Sequence, residues 1–231
     1  MIDSRFPKVF FLSGTDTGVG KTIVSAIMAL GLNAHYWKPI QSGCIPDEND
    51  RSAAAPDGET TDSGFMLKAG LDPSKILKER YLLSQPLSPH LAAELDGVSI
   101  SLDHFKLPDT SAMKHLIIEG AGGLLVPINK QAKIIDLIKL FDFPVVLVAR
   151  SKLGTINHTL LSLEALRSRD IKVAGVVING EKNPENKKAI EEFGAVNILG
   201  EVPLLADFSR DSLLKCFKDN FLAQEFAASS I

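Results

Sequence analysis

With 231 residues, 45% hydrophobic and 23% charged, the chain has the composition of a globular protein with a sizeable core, as one large domain or two small ones. A formal net charge of −3 excludes general affinity for nucleic acid or anionic membrane surfaces, and no apolar run reaches the ~18 residues of a bilayer span. Cys44 and Cys216 are far apart and lack metal-ligand spacing, so they read as free thiols of a reducing, cytoplasmic compartment, and the N-terminal apolar run is too short for a signal-peptide core.

Residues 8–14, "KVFFLSG", form a short β-rich run ended by glycine, which predicts a buried strand. "KTIVSAIMALGL" (21–32) reads as a helix, and "AHYWKPI" (34–40) as a second strand stopped by Pro39. A long polar stretch rich in Asp, Pro and Gly follows from residue 41 to 64, a length that marks a disordered or functional loop. Helices are expected over 60–70 and 88–95, then a strand over 115–123 that enters a glycine-rich turn. Strands over 144–150, 172–180 and 196–203 alternate with helices over 155–169 and 184–194. Near-continuous apolar strands alternating with helices imply a parallel sheet covered on both faces, a Rossmann-like three-layer α/β architecture. No linker divides the chain, so residues 1–231 are expected to form one domain.

"SGTDTGVGKT" (13–22) lies at the first strand–helix junction and resembles a phosphate-binding loop with one residue too many. Four residues before Gly20 would put the first glycine at 15, where Thr15 stands; the glycine is Gly14. The context is right for phosphate all the same. Backbone N–H groups at a helix start face an anion and the helix dipole favours negative charge. Gly18 and Gly20 allow close backbone approach, Lys21 can reach the outer phosphates, and the Thr22 hydroxyl can ligate Mg²⁺. The bland alternative is a glycine-rich turn with a solvated lysine. The longer spacing therefore means a longer P-loop.

Other polar residues fall at strand ends, the edge where open α/β sheets bind ligands. Lys38 could stabilise charge on a transferring phosphoryl group, or be a surface lysine before a proline kink. Glu119 could hold Mg²⁺, or be a solvated strand-end glutamate. Asp62, at a helix start, reads as a simple cap. Ser88 suits an N-cap with Pro89 at the first helical position, and His158 reads as structural. No Ser-His-Asp or Cys-His nucleophile set is visible.

The segments "GTDTGVGKT", "KPIQSG", "SPH", "EGAGG", "KLGTINH", "VVING" and "GEVP", in this order from Gly14 to Pro203, resemble the dethiobiotin synthetase family of biotin biosynthesis. The longer phosphate loop is itself a trait of that family. The resemblance implies a P-loop NTPase-like fold and a cyclo-ligase that forms carbon–nitrogen bonds. Family members close the ureido ring of dethiobiotin from 7,8-diaminononanoate, CO₂ and ATP with Mg²⁺, releasing ADP and phosphate. By the same resemblance Lys21 and Lys38 are the site lysines, and Thr22, Asp62 and Glu119 the metal-associated residues. Thr17, Gly18, Val19 and Gly20 match the phosphate cradle, with Gly120, Ala121 and Gly122 beside it; Asn179, Gly180, Val202, Pro203 and Leu204 match the adenine side. Ser42, Ser88 and Pro89 match residues near the diamine and its carbamate. Gly154, Thr155 and Asn157 match the turn that holds the substrate's distant carboxylate, which in the family comes from the neighbouring subunit, so a homodimer is implied. Some relatives carry glutamate where this chain has Gly18, and residues after Phe208 carry no family motif.

The rival from another class is a nucleotide-switch ATPase of the ParA/MinD type, with a protein or membrane partner. Such proteins usually begin the loop with a Lys-Gly-Gly pattern, whereas this chain reads "SGTDTG". The amphipathic stretch 211–226 is what keeps a membrane-binding helix in consideration.

Overall fold

The computed structural model describes residues 6–44 and 61–222. β1 (Val9–Gly14) is buried at every position, the environment of a strand covered on both faces. α1 (Lys21–Leu32) follows and ends at Asn33, whose left-handed backbone lets its N–H reach the carbonyls of Ala29 and Leu30. In chain order come β2 (His35–Trp37), β3 (Ile40–Ser42), α2 (Asp62–Lys68), β4 (Ile76–Leu77), β5 (Tyr81–Leu83), α3 (Pro89–Leu95) and β6 (Leu116–Gly123). The chain continues through α4 (Ile134–Phe141), β7 (Val145–Arg150), α5 (Thr155–Arg167), β8 (Val173–Asn179), α6 (Pro184–Gly194), β9 (Ile198–Val202) and α7 (Arg210–Phe217).

Seven strands form one parallel sheet in the order β4-β2-β6-β1-β7-β8-β9. Alternate residues of β1 enter opposite cores, as a two-residue period requires. Val9 and Phe11 pack with Ile134 and Ile138 of α4 and with Leu163 and Leu166 of α5. Phe10 and Leu12 pack with Val24 and Ile27 of α1, Met66 of α2, and Leu213 and Phe217 of α7. Each such side chain stabilises by roughly 1.5–3 kcal/mol when fully buried, which holds helices on both faces and leaves the strand ends as the open edge.

The single strand expected over 34–40 is in fact two. Proline cannot donate to a ladder, and the Pro39 carbonyl accepts from the N–H groups of Arg80 and Tyr81 at 2.9 and 3.0 Å. β2 therefore stays in the main sheet while β3 pairs with β5 in a separate two-stranded sheet. Lys38 stands at this break. α4 is an element the sequence reading did not include, although Ile134, Leu137, Ile138 and Phe141 have helical spacing and are buried. In the stretch 211–226, Leu213, Cys216, Phe217 and Phe221 are buried, with α7 packed on α1; the apolar face is spent on the core, and residues 223–226 lie outside the described residues. Among the described residues no helix is long and apolar enough to cross a membrane.

Candidate active site

The phosphate loop runs from the end of β1 to the start of α1. Thr15 N–H donates to the Val148 carbonyl at 2.9 Å, so the loop's first residue is tied to β7. Gly18 and Gly20 have φ of 72° and 92°, and a Cβ on Gly20 would lie 1.9 Å from Asn179 Nδ2. Backbone and space both demand glycine at residue 20. Asn179, at the end of β8, donates from Nδ2 to the Val19 carbonyl at 2.9 Å and so props the loop from outside. Asp16 Oδ1 accepts Thr17 N–H at 2.7 Å, and Asp16 Oδ2 pairs with Arg150 Nη2 at 2.7 Å.

Lys21 is not solvated: it is 7% exposed, and its Nζ donates to the Asp16 carbonyl at 3.2 Å. Burial first, and the neighbouring Lys38 ammonium second, lower its pKa to about 8 against the pull of Glu119, Asp62 and Asp16. Lys38 is also buried; burial alone would favour its neutral form, but Asp62 Oδ2 at 2.5 Å and Glu119 Oε1 at 3.1 Å hold it charged, above its ordinary value.

Glu119 is fully buried in β6, which rules out a solvated strand-end glutamate. Its Oε2 accepts from Ser25 Oγ at 2.6 Å and from Tyr36 OH at 3.1 Å. Its Oε1 accepts from Lys38 and lies 3.4 Å from the Thr22 hydroxyl, which donates to Asp62 Oδ1. Asp62 is not a helix cap. Thr61 caps α2, its hydroxyl accepting Gly64 N–H at 3.0 Å, and Asp62, one residue later, turns into the site. Burial opposes the Asp62 charge, yet Lys38 and Thr22 hold its carboxyl below the usual range. Tyr36 OH stays protonated, its pKa pushed well up by burial and then by Glu119.

Thr22, Asp62 and Glu119 thus converge as three hard oxygen donors. Among the described residues no group of three or more His, Cys, Asp or Glu side chains could hold a metal. Two carboxylates and a hydroxyl suit an ion such as Mg²⁺, which keeps waters and shares nucleotide phosphates rather than entering an all-protein cage.

Beside the loop lies a cleft of about 580 Å³ lined by Gly18, Val19, Asn179, Gly180 and Leu204. Val202 is buried in the core and does not line this cleft; its carbonyl accepts Gly180 N–H at 2.8 Å and fixes the cleft floor. Pro203 leads from it to the exposed Leu204. Gly122 has φ 71°, and a Cβ there would be 3.4 Å from Thr17 Oγ1, which puts the glycine turn after Gly120 and Ala121 against the phosphate loop.

The residues matched to the organic substrate are more dispersed. Ser42 ends β3, with a buried hydroxyl that has no hydrogen-bond partner among the described residues. Ser88 heads α3 before the buried Pro89, its hydroxyl 3.0 Å from His90 Nδ1. Gly154 begins α5 with φ 91°. Gly154 and Asn157 are exposed, whereas the Thr155 side chain is buried and its N–H is used by the Lys152 carbonyl.

Sequence reasoning missed Ser25, Tyr36, Gln41 and Arg150. Ser25 is three residues after Thr22 on α1, hence on the same helix face, and Tyr36 precedes Lys38 by two, the spacing of one strand face. Gln41 Oε1 accepts Asp62 N–H at 3.3 Å. Arg150, at the end of β7, obeys the strand-end rule that selected Lys38 and Glu119.

Fold and site together define a P-loop protein that uses a nucleotide. An AAA domain family matches residues 8–212. The ATP-dependent dethiobiotin synthetase BioD of Rhodopseudomonas palustris (strain BisB5) is 46% identical over 215 residues, 93% of this chain and 95% of that protein. The protein of the same name from Brucella ovis is 46% identical over 217 residues, 94% of this chain and 95% of that one. The chain belongs to the ATP-dependent dethiobiotin synthetase family. Among solved structures, a chain of a MinC:MinD cell division protein complex and the MinD cell division protein, both from Aquifex aeolicus, match with TM-scores of 0.52 and 0.51 at 17% and 15% identity. They cover 97% of this chain in both cases and 97% and 99% of their own chains, a likeness of fold only.

Proposed function

We propose that this chain closes the ureido ring of dethiobiotin from 7,8-diaminononanoate, CO₂ and ATP, releasing ADP and phosphate. Membership of the family supports the reaction. The observation that carries the site assignment is the convergence of Lys21, Lys38, Thr22, Asp62 and Glu119 at the sheet edge beside the phosphate loop. In this reading one domain binds the nucleotide in the cleft between Gly18 and Leu204, and Thr22, Asp62 and Glu119 hold Mg²⁺, which screens the phosphate charge.

One substrate amine captures CO₂ as a carbamate. A carbamate oxygen attacks the γ-phosphorus, ADP leaves, and a carbamic–phosphoric anhydride forms. The second amine then attacks the carbamoyl carbon and expels phosphate. None of these steps needs a protein nucleophile; the protein must position reactants and neutralise charge. That agrees with the thiols, since burial pushes Cys44 up to about 11 and raises Cys216. Lys21 and Lys38 supply fixed positive charge at the phosphoryl group and the carbamate. The exposed Leu125 and Leu161, beside a cleft of about 490 Å³ that reaches Thr15 and Asp16, support a homodimer as the working form.

The test is mass spectrometry of the product from diaminononanoate, bicarbonate and MgATP, with each component omitted in turn and with EDTA added. Dethiobiotin is expected only from the complete mixture, and ATP hydrolysis should need both diamine and CO₂. Robust ATP turnover without diamine would favour a nucleotide switch.

A further inference from the structure

Glu119 has two oxygens in two different environments. Oε2 points into the protein and accepts from Ser25 Oγ at 2.6 Å and from Tyr36 OH at 3.1 Å. Oε1 points to the site, toward Lys38 Nζ at 3.1 Å and Thr22 Oγ1 at 3.4 Å. A carboxylate oxygen has two lone-pair positions, so the two hydroxyl donors saturate Oε2. Both donors are themselves fixed. Ser25 is fully buried in α1, and the Tyr36 ring is fully buried among Phe10, Leu12, Ile27 and Ile117. The carboxylate cannot rotate without stranding two buried hydroxyls.

We propose that Ser25 and Tyr36 are positioning residues that lock the Glu119 carboxylate by its inner oxygen, so that it meets the divalent cation of the nucleotide through Oε1 alone. This rests on the reading above, in which Glu119 faces Mg²⁺. A single fixed oxygen suits Mg²⁺, which demands near-ideal octahedral geometry, whereas a carboxylate free to turn and bind through both oxygens suits the larger Ca²⁺. Ser25 and Tyr36 thereby set metal preference from behind the ligand, without touching metal or nucleotide.

The test uses Ser25→Ala, Tyr36→Phe and the double variant in the full-length chain. Alanine is the best helix former, and phenylalanine retains the buried ring, so both changes are conservative. ATP binding is followed by calorimetry across a Mg²⁺ series, a Ca²⁺ series and in EDTA. Loss of an outer partner of a metal ligand typically costs 10–100-fold in metal affinity. The Mg²⁺ midpoint for ATP binding is expected to rise about 10-fold in the double variant, with a smaller rise for Ca²⁺ and unchanged ATP affinity in EDTA. A merely structural defect would weaken binding equally in all three conditions, and that result would overturn the proposal, as would unmoved Mg²⁺ midpoints. If Tyr36→Phe does not fold, Ser25→Ala decides alone. Failure of the underlying reading looks different: the wild type would then make no dethiobiotin, whatever the metal series shows.

Discussion

Lys38 Nζ lies 2.5 Å from Asp62 Oδ2, which joins the break between β2 and β3 to the first turn of α2. Both groups are largely buried, and Lys38 also serves Glu119. Removing one partner of a buried pair leaves the other charge uncompensated, at about 3–5 kcal/mol. Lys38→Gln is expected to lower Tm by roughly 6–20 °C for a chain of this size. The sign with pH follows from Asp62. In the wild type its depressed pKa contributes stability that is present above the unfolded value and lost as pH falls through the folded one. Without Lys38 two carboxylates face each other and that contribution is gone, so the penalty should be larger at pH 6, above the ordinary carboxylate value of 3.8, than near pH 3, below it. Ring closure should fall by at least ~10²-fold, the scale of electrostatic transition-state groups, with ATP binding still measurable. Scanning calorimetry at both pH values and a product assay check this; equal Tm losses at both would remove the charge argument.

Lys21 gives the opposite linkage. Its pKa is lowered from 10.5 to about 8, chiefly by burial. Below pH 8 both folded and unfolded chains carry this proton, and burying the charge costs up to about 3 kcal/mol at 1.36 kcal/mol per unit. Between about pH 8 and 10.5 the unfolded chain binds the proton and the folded chain does not, so this contribution to stability rises with pH. Lys21→Met should therefore be more stable than wild type at pH 7, an advantage that shrinks toward pH 10. ATP phosphates favour the charged lysine, so ATP binding near pH 9 should take up a proton. Calorimetry in two buffers of different ionisation enthalpy reads that uptake. Turnover by Lys21→Met should drop by at least ~10²-fold.

The two glycines of the loop make different demands. Gly18 has φ 72° with open space where a Cβ would go, whereas Gly20 has φ 92° and Asn179 Nδ2 in that place. Gly18→Ala should cost only the left-handed backbone, about 1–2 kcal/mol. Gly20→Ala adds displacement of Asn179 from the Val19 carbonyl, so ATP affinity should fall well beyond that of Gly18→Ala. Nucleotide titration of both variants compares them; equal losses would mean that Asn179 does not support the loop.

What the sequence revealed depended on whether a signal was local. β1, the phosphate loop and α1 are contiguous, so strand pattern, glycines and helix start all fall in one window, and the structure agrees with each. Lys38 and Glu119 were found by the strand-end rule. Their mutual distance was not legible, because it depends on the β2–β6 pairing of Trp37 with Ile118. The burial of Lys21 escaped notice because it arises from the path of the folded loop, whose Asp16 carbonyl accepts from Nζ, and not from any pattern of residue types. β4 and β5, two and three residues long, carry no usable period. Pro39 marked where a strand had to stop, but not that the chain would resume in a second sheet.

A nine-carbon acid reaches ~10 Å, since an extended chain advances ~1.1–1.2 Å per bond, so its carboxylate lies well away from the phosphates. Gly154 and Asn157 are exposed at the start of α5, while Thr155 is turned into its own core, so what the turn offers is a surface feature available to a neighbouring chain. Gly154 has φ 91°, which proline, fixed near −65°, cannot adopt, so Gly154→Pro disrupts the turn. Subunits carrying Lys21→Ala are mixed with subunits carrying Gly154→Pro. If each site takes its phosphate loop from one chain and its carboxylate turn from the other, a mixed dimer has one site with both lesions and one with neither. Random exchange makes about half of all two-fold dimers mixed, so about a quarter of wild-type activity should return from two inactive parents. Native mass spectrometry establishes that exchange has occurred. Exchange without recovery would mean that each chain builds its own carboxylate pocket, and that the turn does no more than start its own helix.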